Sequence, residues 1–173
     1  LFFILFRLFL VLAIFFFLVY FLIVVIVPEN HTFIQERLGR YYRTLSPGIY
    51  FKIPIVDRIS YKLSKKEQSL SIKNLKCESS DGVEFLIDSI FVFQVQDPFK
   101  AVYETEDYTE SILLEVKSHV ITEIHNHYSD EIFARRYGMN QSVVKHIGER
   151  AKNWGMKIIR FEIQEIKRET KIT

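Results

Sequence analysis

The sequence predicts an α+β domain with an antiparallel sheet and packed helices, preceded by one N-terminal transmembrane helix. Three observations carry this expectation. Leu8 to Val27 is an uncharged apolar run that stops at Pro28-Glu29-Asn30. From there to Gln96, short segments rich in β-formers are separated by turn residues. After Asp97-Pro98 the apolar spacing becomes helical, and a returning strand, Met156 to Ile166, follows the helices. Strands first, helices next and a strand to close is an α+β order.

The apolar run is the anchor. At about 1.5 Å per residue it spans roughly 30 Å, the thickness of a hydrocarbon core. Leu, Ile, Phe and Val fill every position except Ala13 and Tyr20. Each contributes about −0.3 to −0.6 kcal/mol at mid-membrane, so the sum favours insertion by several kcal/mol. No polar stripe marks a buried helix, no central Pro or Gly allows a hairpin, and Val25 to Pro28 offers no small-residue cleavage site. A single span therefore carries Leu8, Leu12, Phe16, Tyr20, Val24 and Val27 as membrane-anchor residues. Arg7 lies close enough to reach headgroups. The expected division is residues 1–27 as anchor and 28–167 as one domain.

Strands are expected at His31 to Arg37 and Arg40 to Leu45, split by Gly39, with Ser46-Pro47-Gly48 as a turn. Ile49 to Val56 is a nearly continuous apolar patch, which Pro54 confines to an edge or irregular segment. Composition alone leaves that patch open between core packing and lipid contact. Strands resume at Gln68 to Ile72 and at Val83 to Gln96, where Phe85, Ile87, Phe91, Phe93 and Val95 share a face. Asp97 caps a helix with Pro98 at its first position, and Asp107 to Glu110 opens another. Ile112, Val116, Val120, Ile124 and Tyr128 then recur every fourth residue. Ser129 is read as the cap of a short helix, and a further helix runs from Asn140 to a stop at Gly155. The last strand is expected to bury Ile159, Phe161 and Ile163.

Charge and motifs narrow the function. With 23 Lys and Arg against 21 Asp and Glu, no global field exists to attract nucleic acid. Cys77 is the only cysteine, which excludes an intrachain disulfide and multi-cysteine metal patterns. It reads as an ordinary strand residue. Lys62, Lys65 and Lys66 read as a solvated turn, and Asn30-His31-Thr32 as a chance glycosylation triplet. No phosphate loop, dinucleotide fingerprint, nucleophile elbow or HExxH element is present. His119, Glu123 and His127 share a helical face, but a solvated stripe is the commoner meaning of that spacing. No catalytic residue, metal or cofactor is assigned, and the chain is not read as an enzyme.

Four motifs then carry a resemblance. They are Glu36-Arg37-Leu38-Gly39-Arg40; Pro47-Gly48 with Ile53-Pro54-Ile55-Val56-Asp57-Arg58-Ile59; Val95-Gln96-Asp97-Pro98-Phe99-Lys100-Ala101; and Trp154-Gly155-Met156 with Arg160-Phe161-Glu162-Ile163. In this order and spacing the chain resembles the SPFH (Band 7) family, in its paraslipin and stomatin-like branch, over Pro28 to Lys167. The resemblance implies a membrane-anchored oligomeric scaffold that organises a lipid microdomain and holds or regulates membrane complexes or proteases. An accessory subunit of a larger assembly, such as a respiratory complex, is the alternative.

The same resemblance implies lipid contact for Ile49, Tyr50, Phe51, Ile53, Pro54, Ile55 and Val56. It implies membrane lipids and homo- or hetero-oligomers of SPFH proteins as partners, with a protease, channel or respiratory complex beyond them. Residues 168–173 would begin a coiled-coil helix, missing or truncated here. The implied location is the mitochondrial inner membrane, domain toward the intermembrane space, with bacterial cytoplasmic or plasma membrane as alternatives.

Overall fold

The computed structural model describes the backbone of residues 2–169, without the side chains of residues 2, 18, 19, 21 and 22. The chain forms two compact units, Leu1–Ser64 and Lys65–Thr173. Their boundary falls inside the stretch that the sequence suggested as one domain.

In the first unit, α1 (Phe2–Ile23) runs into β1 (Val24–Val27), followed by β2 (His31–Arg37), β3 (Arg40–Leu45), β4 (Gly48–Phe51) and β5 (Asp57–Ser64). The helix ends four residues before the apolar run does. Val24-Val25-Ile26-Val27 is wholly β-branched, which lowers helix propensity and favours a pleated strand. That strand pairs antiparallel with β4, Val24 opposite Phe51 and Val27 opposite Gly48. Val24 and Val27, expected on the spanning helix, therefore lie outside it, and Val27 is buried in protein. The uncharged helical part, Leu8 to Ile23, is roughly 24 Å long. Among the described residues no helix is long and apolar enough to cross a membrane.

The other sheet of this unit has the order β3-β2-β5, all antiparallel. β5 has no counterpart in the expected strands, and it draws Lys62 from the supposed turn into the sheet, with its Nζ 5.3 Å from the centre of the Phe33 ring. Val27, Phe33 and Leu45 form a small core, with Val25, Tyr50 and Ile59 packed against it.

The second unit has a sheet of order β6-β7-β8, with β6 at Gln68–Glu78, β7 at Glu84–Val95 and β8 at Met156–Arg168. Between β7 and β8 run α2 (Pro98–Tyr103), α3 (Tyr108–His125), α4 (Glu131–Ala134) and α5 (Arg136–Asn153). The alternation along β7 holds: Phe85, Ile87, Phe91, Phe93 and Val95 are all buried. Phe85, Ile87, Phe91 and Phe93 meet Ile112, Val116, Val120 and Ile124 of α3 and Met139, Val143, Ile147 and Ala151 of α5. Asp97 accepts from the Phe99 and Lys100 amides, and Asp107 from those of Thr109 and Glu110, so both expected caps are formed.

Four expectations in this unit need correction. A bulge opposite Val92/Phe93 adds a residue to β8, so Ile158 is buried and Ile159 turns outward at 37% exposure. Tyr128 lies beyond the end of α3 and is exposed. Ser129 does not cap α4; its hydroxyl donates to Asp81 at 2.6 Å, because that carboxylate is within reach from the β6–β7 turn. The helix read from Asn140 begins a turn earlier, where Met139 faces the core. At the C-terminal end Arg168 belongs to β8, and residues 170–173, most of the expected coiled-coil start, lie outside the described residues.

Candidate membrane-facing site

The two-residue period of the β1–β4 ribbon sorts its side chains. Val25, Val27 and Tyr50 face the small core. Ile26 sits directly opposite Ile49, and with Phe51 these side chains are largely exposed on the other face. The ribbon continues from α1, and the Lys52 amide donates to the Ile23 carbonyl at 2.8 Å. Helix and ribbon are thus joined by a backbone hydrogen bond as well as by chain continuity.

Beyond β4 the chain makes a tight turn. Asp57 N–H donates to the Ile53 carbonyl at 2.8 Å, and Ile53 N–H donates to Asp57 Oδ2 at 2.9 Å. This closed loop exposes Ile53 and, fully, Ile55. Ile55 has φ +74°, a left-handed conformation that a β-branched residue rarely adopts. The neighbouring β2–β3 hairpin repeats the arrangement. Leu38, at φ +51°, is 78% exposed, and its amide donates to the Val56 carbonyl at 3.0 Å. Two strained apolar side chains are therefore presented from linked turns, where burial offers them nothing.

The support beneath is electrostatic. Arg37 grips Asp57 with Nε at 2.7 Å and a terminal nitrogen at 3.1 Å. Together with the Ile53 amide, that guanidinium holds the Asp57 carboxyl at a pKa of about 2, below its usual range. Arg37 also lies 3.9 Å from the centre of the Tyr42 ring. Arg43 donates to Gln35 at 2.8 Å and to the Phe51 carbonyl at 3.2 Å, bracing β4 against β2. Arg40 and Arg58 are exposed near the tip, with no carboxylate within ion-pair distance among the described residues.

The structure divides the expected lipid-contact segment. Ile49, Phe51, Ile53 and Ile55 are exposed, Pro54 and Val56 are half-buried, and Tyr50 points the other way, as strand alternation requires. Leu38 was absent from the expected set. Its only sequence signal is a large apolar residue placed beside Gly39, where a turn would favour a polar one.

The histidine stripe sets two imidazoles beside one carboxylate. Glu123 lies 4.0 Å from His119 Nε2 and 3.8 Å from His127 Nε2, and the His119 ring packs against that of His146 at 4.7 Å. Among the described residues no three His, Cys, Asp or Glu side chains are placed to hold a metal ion. Burial pushes the Cys77 thiol up to about 12, and its Sγ sits 3.7 Å from the Leu75 carbonyl.

A model of the SPFH domain / Band 7 family matches residues 25–173. The chain belongs to that family. The match begins inside β1, so it takes in all three sheets and leaves the whole of α1 outside. Among curated proteins, the human and the bovine "Stomatin-like protein 2, mitochondrial" are each 32% identical over 144 residues, covering 83% of this chain and 40% of theirs. An uncharacterised protein of Schizosaccharomyces pombe is 33% identical over 145 residues, covering 84% of this chain and 41% of its own. The SPFH chain described here thus spans about two-fifths of the length of the relatives it matches. Both the SPFH domain and the stomatin-like resemblance read from the four motifs hold.

Proposed function

We propose that this SPFH protein is a membrane-anchored oligomeric scaffold that organises a lipid patch and holds membrane protein complexes or proteases against it. The observation that carries the reading is the exposed apolar surface of Ile26, Ile49, Phe51, Ile53 and Ile55, joined to α1 through the Lys52–Ile23 hydrogen bond. Contiguous exposed apolar surface of this kind marks an interaction face. In this reading α1 is the anchor, with Arg7 reaching the headgroups, and the ribbon and turns rest in the interface. Arg40 and Arg58 add attraction to an anionic surface, about 1 kcal/mol each.

Mitochondrial membranes are the proposed location, on the strength of the stomatin-like relatives named mitochondrial. Repeated lateral contacts between copies supply the scaffold, because many weak lipid and subunit contacts act together through effective concentration. The test is native mass spectrometry and particle imaging of the full chain in nanodiscs, beside liposome flotation. A large symmetric particle that floats is expected. A monomer in lipid, or a chain that does not float, overturns the reading.

A further inference from the structure

We propose that the groove between α5 and the open edge of β8 binds an extended acidic peptide segment of a partner protein by strand addition. This goes beyond the membrane reading and does not rest on it. β8 is an outer strand of its sheet, so one side of its backbone faces no neighbouring strand within the unit. α5 closes part of that side. Arg136 donates to the Ile163 and Gln164 carbonyls, and Asn140 Oδ1 accepts the Ile163 N–H at 3.1 Å. These two side chains stand one helical turn apart and blunt the edge.

The protection ends there. Register is unbroken from Ser89–Ile163 to Val92–Arg160, so the two-residue period turns the Phe161 N–H and C=O to the side that Ile163 faces. Among the described residues no side chain is bonded to them. Beyond Asn140, which forms one end of it, the edge meets a hollow of about 470 Å³ lined by Tyr137, Gln141, Val144 and Ile159. A second hollow of about 450 Å³ shares Val144 and Lys145 and continues toward Lys152 and Lys157. The bulge in β8 is what supplies Ile159 to this trench; without it the side chain would follow the strand's alternation.

Chemistry selects the occupant. An open strand edge offers main-chain hydrogen bonds, and side pockets beside it take alternate side chains. Val144 and Ile159 give apolar seats. Lys145, Lys152 and Lys157 on the rim outnumber Glu149, which lines the same hollow, and have no carboxylate within ion-pair distance among the described residues, whereas Arg160 is paired with Glu162 at 3.9 Å. The fitting segment alternates apolar residues with Asp or Glu. The sheet's other edge, β6, carries exposed Lys73, Lys76 paired with Glu169 at 3.8 Å, and a single acid, Glu78, at its end, so a second copy adding that edge would bring no run of alternating acids to the rim.

The probe is a phage-displayed library of random peptides of about ten residues, the length that strand addition uses. It is selected against the full chain in nanodiscs, and the best peptide is then made synthetically. Enriched sequences should alternate apolar and acidic residues. Lys145→Glu, an exposed change that leaves folding intact, should weaken binding about tenfold or more, as should N-methylation of alternate peptide amides. Val144→Glu should do the same, with its thermal melt as a folding control, and Lys73→Glu should change nothing. No enrichment, enrichment of basic or proline-rich peptides, or affinity indifferent to N-methylation or to Lys145→Glu overturns the proposal. Self-association abolished by Lys145→Glu would give the groove to a second copy and overturn it too.

Discussion

The Asp57 carboxylate receives the Arg37 guanidinium through two nitrogens, at 2.7 and 3.1 Å, and through its Oδ2 it also accepts the Ile53 amide at 2.9 Å. One buried anion thereby ties the end of β2 to the turn that presents Ile55. The turn's shape depends on a charge it does not itself contain.

Asp57→Ala should therefore loosen the tip as well as destabilise the unit. It leaves the Ile53 N–H without its acceptor and Arg37 without its counter-charge, so Tm should fall by roughly 5 °C. Amide exchange should accelerate at Ile53 and Leu38 more than in β7, which differential exchange by mass spectrometry reads directly. Equal acceleration in both units would refute this role.

The same carboxylate sets an acid limit. Its folded pKa is about 2, below the ordinary 3.8, so the unfolded chain takes up the proton first as pH falls. The stabilisation is complete above about pH 5 and is lost on descent through pH 2. Asp81, held near 2 by hydrogen bonds from Ser129 and Ser79, adds a loss of the same sign in the other unit. Asp81→Asn should flatten the fall in stability of the second unit between pH 5 and 2.5, measured by urea unfolding with β8 exchange as the reporter.

Much of this architecture is legible in the chain because local rules and packing agree. The alternation along Phe85 to Val95, the Asp97-Pro98 and Asp107 starts, and the four-residue row from Ile112 to Ile124 state the same elements at every level. Legibility fails where one pattern serves two structures. Val24 to Val27 continues an apolar helix in composition and yet pairs with Gly48–Phe51, a partner that only the tertiary fold supplies. Asp57 to Ser64 does alternate, with Ile59, Tyr61 and Leu63 set between Arg58, Ser60, Lys62 and Ser64, but that short signal is masked by the Lys62, Lys65 and Lys66 cluster, which reads as a solvated turn. At the candidate site the apolar patch is plain in sequence, but its division is not. Tyr50 turns inward through strand parity, and Leu38 joins the tip through a bond to Val56 that no spacing announces.

Ile55 should trade stability for contact. Ile55→Gly removes a β-branched residue from φ +74° and should gain about 1 kcal/mol, since the exposed side chain contributes no core burial. In the proposed membrane setting the same change should weaken interfacial seating. Ile55→Cys carrying an environment-sensitive dye should shift to the blue in nanodiscs, and Leu114→Cys, exposed on α3, should not. A dye at position 55 that stays in water while the chain floats would remove the tip from the interface.

His119 makes the second unit sensitive to mild acid. Burial, and then the neighbouring His146, push its pKa below 6.5, while Glu123 and Glu115 on α3 oppose the shift. The unfolded His119 accordingly protonates first, so stability is present above about pH 6.5 and declines as pH drops through it. His119→Gln should remove this slope. Urea midpoints at pH 7.5 and 5.5 should differ less in the variant than in the parent, and an unchanged difference would assign the acid response elsewhere.

Gly155 offers the sharpest separation of backbone strain from steric conflict. It lies at φ +69° between the end of α5 and the start of β8, and its carbonyl accepts both the Gln96 and Asp97 amides at 2.9 Å. A Cβ there would stand 2.3 Å from the Asp97 carbonyl oxygen and 3.0 Å from the Lys100 Cβ, so the α2 start must move. Gly82, at φ +77°, has only the end of the Glu78 side chain nearby, at 3.7 Å. Gly82→Ala should therefore cost only the left-handed penalty, about 1 kcal/mol. Gly155→Ala adds displacement of backbone and loss of both amide bonds, and should cost about 3 kcal/mol or more. Chemical denaturation of the two variants measures the gap. Equal losses would mean that the α5–β8 junction yields freely, and that Gly155 is required for its φ alone.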